Sequence, residues 1–87
     1  MSLCAHGQFY YVYILESLSK PGHFYTGFTR DPEIRLEHHN AGRNPATCSY
    51  KPWRLKALIA LPDRKRAESL EEYLKSGSGR AFAKKHL

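Results

Sequence analysis

The sequence predicts a small α+β domain in which a three-stranded antiparallel sheet is flanked by helices, in the order β-β-α-β-α-α. Three observations carry that reading. "QFYYVYILES", "HFYTGFT" and "WRLKALIAL" are rich in aromatic and β-branched residues and read as strands. The stretches between and after them carry helix start and stop signals. The 87 residues fit one domain with a modest core.

The first strand is apolar on both faces, which suits a central position. "LSKPG" is a turn punctuated by Pro-Gly, so the first two strands form a hairpin. In "RDPEIRLEHHNAGRNP", Asp31 is a good N-cap, Pro32 suits the first helical position and Glu33 favours the positive end of the helix. Gly42 stops this helix and Pro45 prevents its continuation. "ATCSYKP" reads as a loop. The third strand alternates at first, with Trp53, Leu55 and Ala57 against Arg54 and Lys56. Pro62 and Asp63 open a helix over residues 64–75, "SGSGR" breaks the chain, and Ser78 or Gly79 starts a last helix. Residues 1–8 read as a tail ahead of a domain over residues 9–87.

Composition narrows the function classes. Hydrophobic content of 41% and charged content of 25% describe a globular chain. No apolar run is long enough to span a bilayer, so no membrane role is expected. "MSLCAHGQFYY" lacks the basic start and long apolar stretch of a signal peptide. Cys4 and Cys48 have neither zinc-site nor disulfide-framework spacing, which points to free thiols in a reducing cytoplasm. No P-loop, dinucleotide fingerprint or Ser/His/Asp pattern stands out, so no small-molecule cofactor is expected.

The net charge is +6, and it is uneven. Residues 1–42 carry three basic and four acidic groups, residues 43–87 eleven basic and four acidic. That bias favours a polyanionic partner, nucleic acid before acidic membrane. Lys51, Arg54 and Lys56, with Arg64, Lys65 and Arg66, could form a phosphate-tracking surface. Lys75 and Arg80 join Lys51, Arg54 and Lys56 as candidate nucleic-acid contacts. The glycines of "SGSGR" could present amides to a phosphate, or form a plain inter-helix loop.

Several residues combine into a candidate site. With the hairpin turn centred near Ser19, Tyr13 faces Tyr25 across the first two strands. The alternative is ordinary sheet aromatics. Gly27 follows Tyr25 by two, where a strand glycine marks a bulge or a close backbone approach. Arg35 and His39 lie at i and i+4 on one helix face, with Ile34 and His38 expected on the packed side. They could form a solvated face with an Asp31–Arg35 pair. They could equally aim a phosphate-binding fork and a proton acceptor at the tyrosines. In "RAESLEEYLK", Ala67, Leu70 and Leu74 form a core-facing stripe, and Glu71 falls within it. Either the helix rotates enough to expose it, or a carboxylate there calls for a compensating cation, Lys75 at i+4 or a metal ion.

These pieces together resemble the GIY-YIG nuclease domain, and most of all its small stand-alone bacterial members. Tyr11-Val12-Tyr13 stands at the first motif and Tyr25-Thr26-Gly27 at the second. Arg35 stands at the arginine position of the first helix, His39 at the following His-or-Tyr position, and Glu71 at the metal-binding glutamate. The likeness runs from about Phe9 to Lys85. Tyr11 and Val12 replace the glycine and isoleucine of the first motif, and Thr26 replaces the isoleucine of the second. The asparagine that some larger members place after the glutamate has no clear counterpart.

The resemblance implies a metal-dependent DNA endonuclease that hydrolyses phosphodiester bonds, acting on double-stranded or branched DNA in repair or recombination. Glu71 would hold Mg²⁺ or Mn²⁺, hard cations that prefer oxygen. Arg35 would stabilise the phosphoryl charge. Tyr13, Tyr25 and His39 are the three candidates for the base that activates water. The alternative is a nucleic-acid-binding module of the same fold with weak or partner-dependent cleavage.

Overall fold

The computed structural model describes residues 9–87; the expected tail over residues 1–8, and Cys4 within it, lie outside the described residues. Strand β1 spans Tyr10–Ser17, β2 Phe24–Thr29 and β3 Trp53–Leu61. Helix α1 spans Pro32–Asn40, α2 Arg64–Lys75 and α3 Gly77–His86. The α+β fold and the order β-β-α-β-α-α are as the sequence predicts. The sheet runs β2-β1-β3, all antiparallel, so the doubly apolar first strand is indeed central.

Each face of the sheet has its own core. On one, Val12 and Ile14 pack with Ala67 and Leu74 of α2, joined by Phe28, Ala57, Ile59, Leu70 and Ala83. On the other, Tyr13, Leu15 and Trp53 pack with Tyr25, Leu36, Tyr50 and Leu58. Burying each large apolar side chain contributes about 1.5–3 kcal/mol, so these two small clusters supply the main driving force. Ala67 and Leu74 confirm the stripe read from α2, with Leu70 partly buried beside them.

The caps follow the local chemistry. The Asp31 carboxylate accepts from the Ile34 amide at 3.2 Å and the Asp63 carboxylate from the Arg66 amide at 2.8 Å. Such caps are worth about 1 kcal/mol each, because the first helical amides have no other partner. Gly42 turns the chain after α1 with φ +77°, a conformation that side chains with a Cβ resist.

Four local expectations are corrected. Tyr13 pairs with Gly27 rather than Tyr25, which lies opposite Leu15. The turn is centred one residue later than read, and the resulting slip of two keeps both tyrosines on one face. Strand β3 contains a bulge. Ile14 pairs with Ala57 and Leu15 with Leu55, so Lys56 is the extra residue. Ala57 thereby moves to the α2 face while Trp53 stays on the other, which breaks the alternation read from the sequence.

Helix α3 begins at Gly77, immediately after Ser76, so "SGSGR" forms its first turn instead of a loop. The Ser76 hydroxyl accepts from the Gly79 amide at 3.1 Å and so caps the helix. Finally, Ile34 and His38 face outward, with Ile34 half exposed. The inward residues of α1 are Pro32, Leu36 and His39. The loop after α1 also contains a single 3₁₀ turn, Cys48–Tyr50.

Candidate active site

The site is built on the sheet face that α1 covers. Tyr13 lies at the middle of the central strand, 3% exposed. Its ring crosses the backbone of β2 at Gly27: a Cβ on Gly27 would stand 2.6 Å from the Tyr13 hydroxyl. Glycine there is a space requirement, and the close backbone approach read from the sequence is one made by Tyr13. The Tyr25 and Tyr13 rings are 6.3 Å apart, and the His39 ring lies 4.9 Å from Tyr25 and 5.9 Å from Tyr13.

His39 is 1% exposed and held from both ends. Nε2 is 3.0 Å from the Tyr13 hydroxyl, and Nδ1 is 2.8 Å from Thr47 Oγ1. The Thr47 hydroxyl donates to the Asn44 carbonyl at 3.4 Å. The consistent tautomer carries its proton on Nδ1, which donates to Thr47, and leaves Nε2 to accept the Tyr13 O–H. Burial, Arg35 and His38 all lower the His39 pKa, so the ring is held neutral.

Two further contacts fix this geometry. The Trp53 indole N–H donates to the Thr47 carbonyl at 3.0 Å. Asn40 clamps the end of α1 to the start of β3, donating to the Trp53 carbonyl at 3.1 Å and accepting from its amide at 2.5 Å. Sequence reasoning missed both Thr47 and Asn40. Thr47 sits in a loop with no periodicity, and Asn40 reads as an ordinary residue near a helix end.

The charged candidates surround this buried group. Arg35 is exposed, and its charge lowers the pKa of both Tyr13 and His39. Glu71 projects from α2 with its side chain 17% exposed, and its Oε2 pairs with Lys75 Nζ at 3.0 Å. Its charge raises the Tyr13 pKa, although burial is the main cause and Tyr25 the second. Arg35 and Glu71 thus act from different helices on one phenol. Among the described residues, no group of three His, Cys, Asp or Glu side chains is placed to hold a metal ion.

The basic candidates divide. Lys75 Nζ stands 6.0 Å from the centre of the Tyr25 ring, and Lys56 Nζ 4.5 Å from that of Phe24. Arg80 and Lys56 line one groove with Lys75. Arg54 is instead paired with Glu16, and Lys51 extends toward Gly42. Arg64 and Arg66 pair with Glu68 and Asp63 on the exposed side of α2. Cys48 is a free thiol, and no described helix is long and apolar enough to cross a membrane.

Comparison with known proteins identifies the family. A UPF0213 protein of Halalkalibacterium halodurans is 39% identical over 72 residues, covering 82% of this chain and 74% of its own. The structure-specific endonuclease subunit SLX1 of Candida dubliniensis is 36% identical over 86 residues, 91% of this chain and 29% of its own. That of Debaryomyces hansenii is 35% identical over 63 residues, 66% of this chain and 18% of its own. The chain therefore spans less than a third of the length of these yeast relatives. A family model described as the GIY-YIG catalytic domain matches residues 9–85, and the chain belongs to that family.

Proposed function

We propose that the chain is a metal-dependent DNA endonuclease that hydrolyses phosphodiester bonds, with branched DNA as its preferred substrate. The observation that carries this reading is the Tyr13 hydroxyl, held 3.0 Å from a buried neutral His39 and subject to the charges of Arg35 and Glu71. A structural tyrosine needs no such surroundings. Membership in a family of catalytic domains, and relatives named as structure-specific endonuclease subunits, support the substrate class.

In this reading the Tyr13 oxygen takes a proton from the attacking water while its own proton passes to His39 Nε2. The water oxygen bonds to phosphorus as the bond to the leaving oxygen breaks. Arg35 neutralises charge on the phosphoryl oxygens through its planar fork. Tyr25 packs against Tyr13 and His39 and limits their movement. Thr47 holds the His39 tautomer that leaves Nε2 ready to accept.

The residues fit a divalent cation. Glu71 offers hard oxygen at the edge of the site, partly buried and still reachable, and Mg²⁺ commonly takes one or two carboxylates while keeping several waters. Bound at Glu71, Mg²⁺ or Mn²⁺ would offset the carboxylate charge and draw the Tyr13 pKa back down. The free thiol of Cys48 suits a reducing compartment, and we assign the protein to the cytoplasm.

The test is cleavage of plasmid and branched DNA with Mg²⁺ or Mn²⁺ by wild type, Glu71→Ala and Arg35→Ala. The expected result is cutting by wild type and none above background by either variant. One observation favours the binding-module alternative, because Lys75 already compensates Glu71 at 3.0 Å. Under that reading no substrate is cut by wild type, and DNA affinity is unchanged in both variants.

A further inference from the structure

An open groove of about 860 Å³ lies on the α2 and α3 face of the sheet, opposite Tyr13, and meets the site at the β2 edge through Tyr25. Its floor is apolar, made by Ile14, Leu74 and Ala83. Phe24, 50% exposed, and Tyr25 form an aromatic rim. Four cations line it, Lys56, Lys75, Arg80 and Lys84, and no carboxylate does among the described residues. The β3 bulge aims Lys56 here, since it is the extra residue of that strand and its ammonium stands over the Phe24 ring. Tyr25 and Lys75 belong to both places: Tyr25 packs on Tyr13 and His39, and Lys75 pairs with Glu71.

We propose that this groove binds an unpaired nucleic-acid strand leading into the Tyr13 centre. The inference rests on the nuclease reading for its direction, and it names the substrate feature that the site selects. A duplex turns its phosphates outward and keeps its base faces stacked, so it offers nothing to an apolar floor or an exposed phenyl ring. An unpaired strand offers both. Its bases stack on aromatic rings while its phosphates meet flanking cations. Phe24 is the stacking platform, and Lys56, Arg80 and Lys84 hold the backbone. Branched DNA supplies such a strand next to a scissile bond, so the groove gives structure selectivity without base-specific contacts.

The experiment is fluorescence anisotropy with EDTA present, comparing labelled oligothymidine with a hairpin duplex of equal length. Wild type is expected to bind oligothymidine at least about tenfold more tightly than the duplex. Phe24→Ala lowers that affinity by about five- to a hundredfold, the range set by loss of one base–aromatic stack. Phe24→Trp retains it. Arg80→Ala combined with Lys84→Ala lowers it and reduces the salt slope by about 1.4, the value for two phosphate contacts on a single strand. Equal affinity of wild type for the two probes, or an unchanged oligothymidine affinity in Phe24→Ala, overturns the proposal. So does tighter binding to phosphatidylserine vesicles than to the oligonucleotide. The assay reads binding without metal or cleavage, so failure of the nuclease reading and failure of the groove give different results.

Discussion

The Tyr13 hydroxyl and His39 Nε2 stand 3.0 Å apart, with Thr47 2.8 Å from the other ring nitrogen. In the tautomer with its proton on Nδ1, His39 accepts from the phenol at Nε2 and donates to Thr47. Removing the base is expected to cost more than removing its support. His39→Ala should lower kcat for DNA cleavage by about 10²–10⁴-fold, the scale of lost proton transfer. Thr47→Val, which keeps the volume and removes the hydroxyl, should cost about tenfold, and cleavage by Thr47→Ser should recover most of it. An equal loss in Thr47→Val and Thr47→Ser would make the threonine a packing residue only.

Stability should depend on pH through the same histidine. Burial, then Arg35, then His38 lower its pKa from the ordinary 6.5. The folded protein therefore binds this proton less readily than the unfolded chain does. The stability from this group is complete above the unfolded value and is lost as pH falls below it toward the lowered folded value. Denaturant midpoints at pH 7.5 and 5.5 check this. The midpoint should drop at the lower pH, and His39→Gln should flatten the difference.

Gly27→Ala probes the packing of Tyr13. The new methyl would meet the phenol oxygen at 2.6 Å and its ring at 2.8 Å. The tyrosine must then swing away from His39. Activity should fall by about the factor seen for His39→Ala, because the same hydrogen bond is lost. The far-UV spectrum should stay native, since the clash is with one side chain.

Gly79→Ala is the contrasting case. Its methyl would lie 1.7 Å from the Tyr73 carbonyl oxygen, where α3 turns back on α2. Backbone has no rotamer to change, so the helix pair must separate, at about 3 kcal/mol or more. Thermal melting should show Tm lower by at least about 12 °C for a domain of this size.

The groove divides basic residues that are close in the chain. Lys56 and Arg54 are neighbours in sequence, yet one lines the groove and the other pairs with Glu16. The bulge separates them, and it has no clear signature in "WRLKALIAL", where the alternation simply gives way to the apolar run Ala57–Leu61.

The sequence by itself determined the elements, their order and the central strand, because caps, turns and hydrophobic period act over a few residues. It also singled out Tyr13, Tyr25, Gly27, Arg35, His39 and Glu71, whose types and spacing are local. Tertiary structure alone decided what those residues touch. The hairpin register placed Gly27 opposite Tyr13, and a turn displaced by one residue is nearly invisible in sequence. Burial of His39 in place of Ile34 and His38 depends on Tyr13 and Thr47, which supply hydrogen bonds from a strand and a loop. A polar side chain can face a core only when such partners arrive from elsewhere in the chain. That is why the outward turn of α1 could not be read from its own residues.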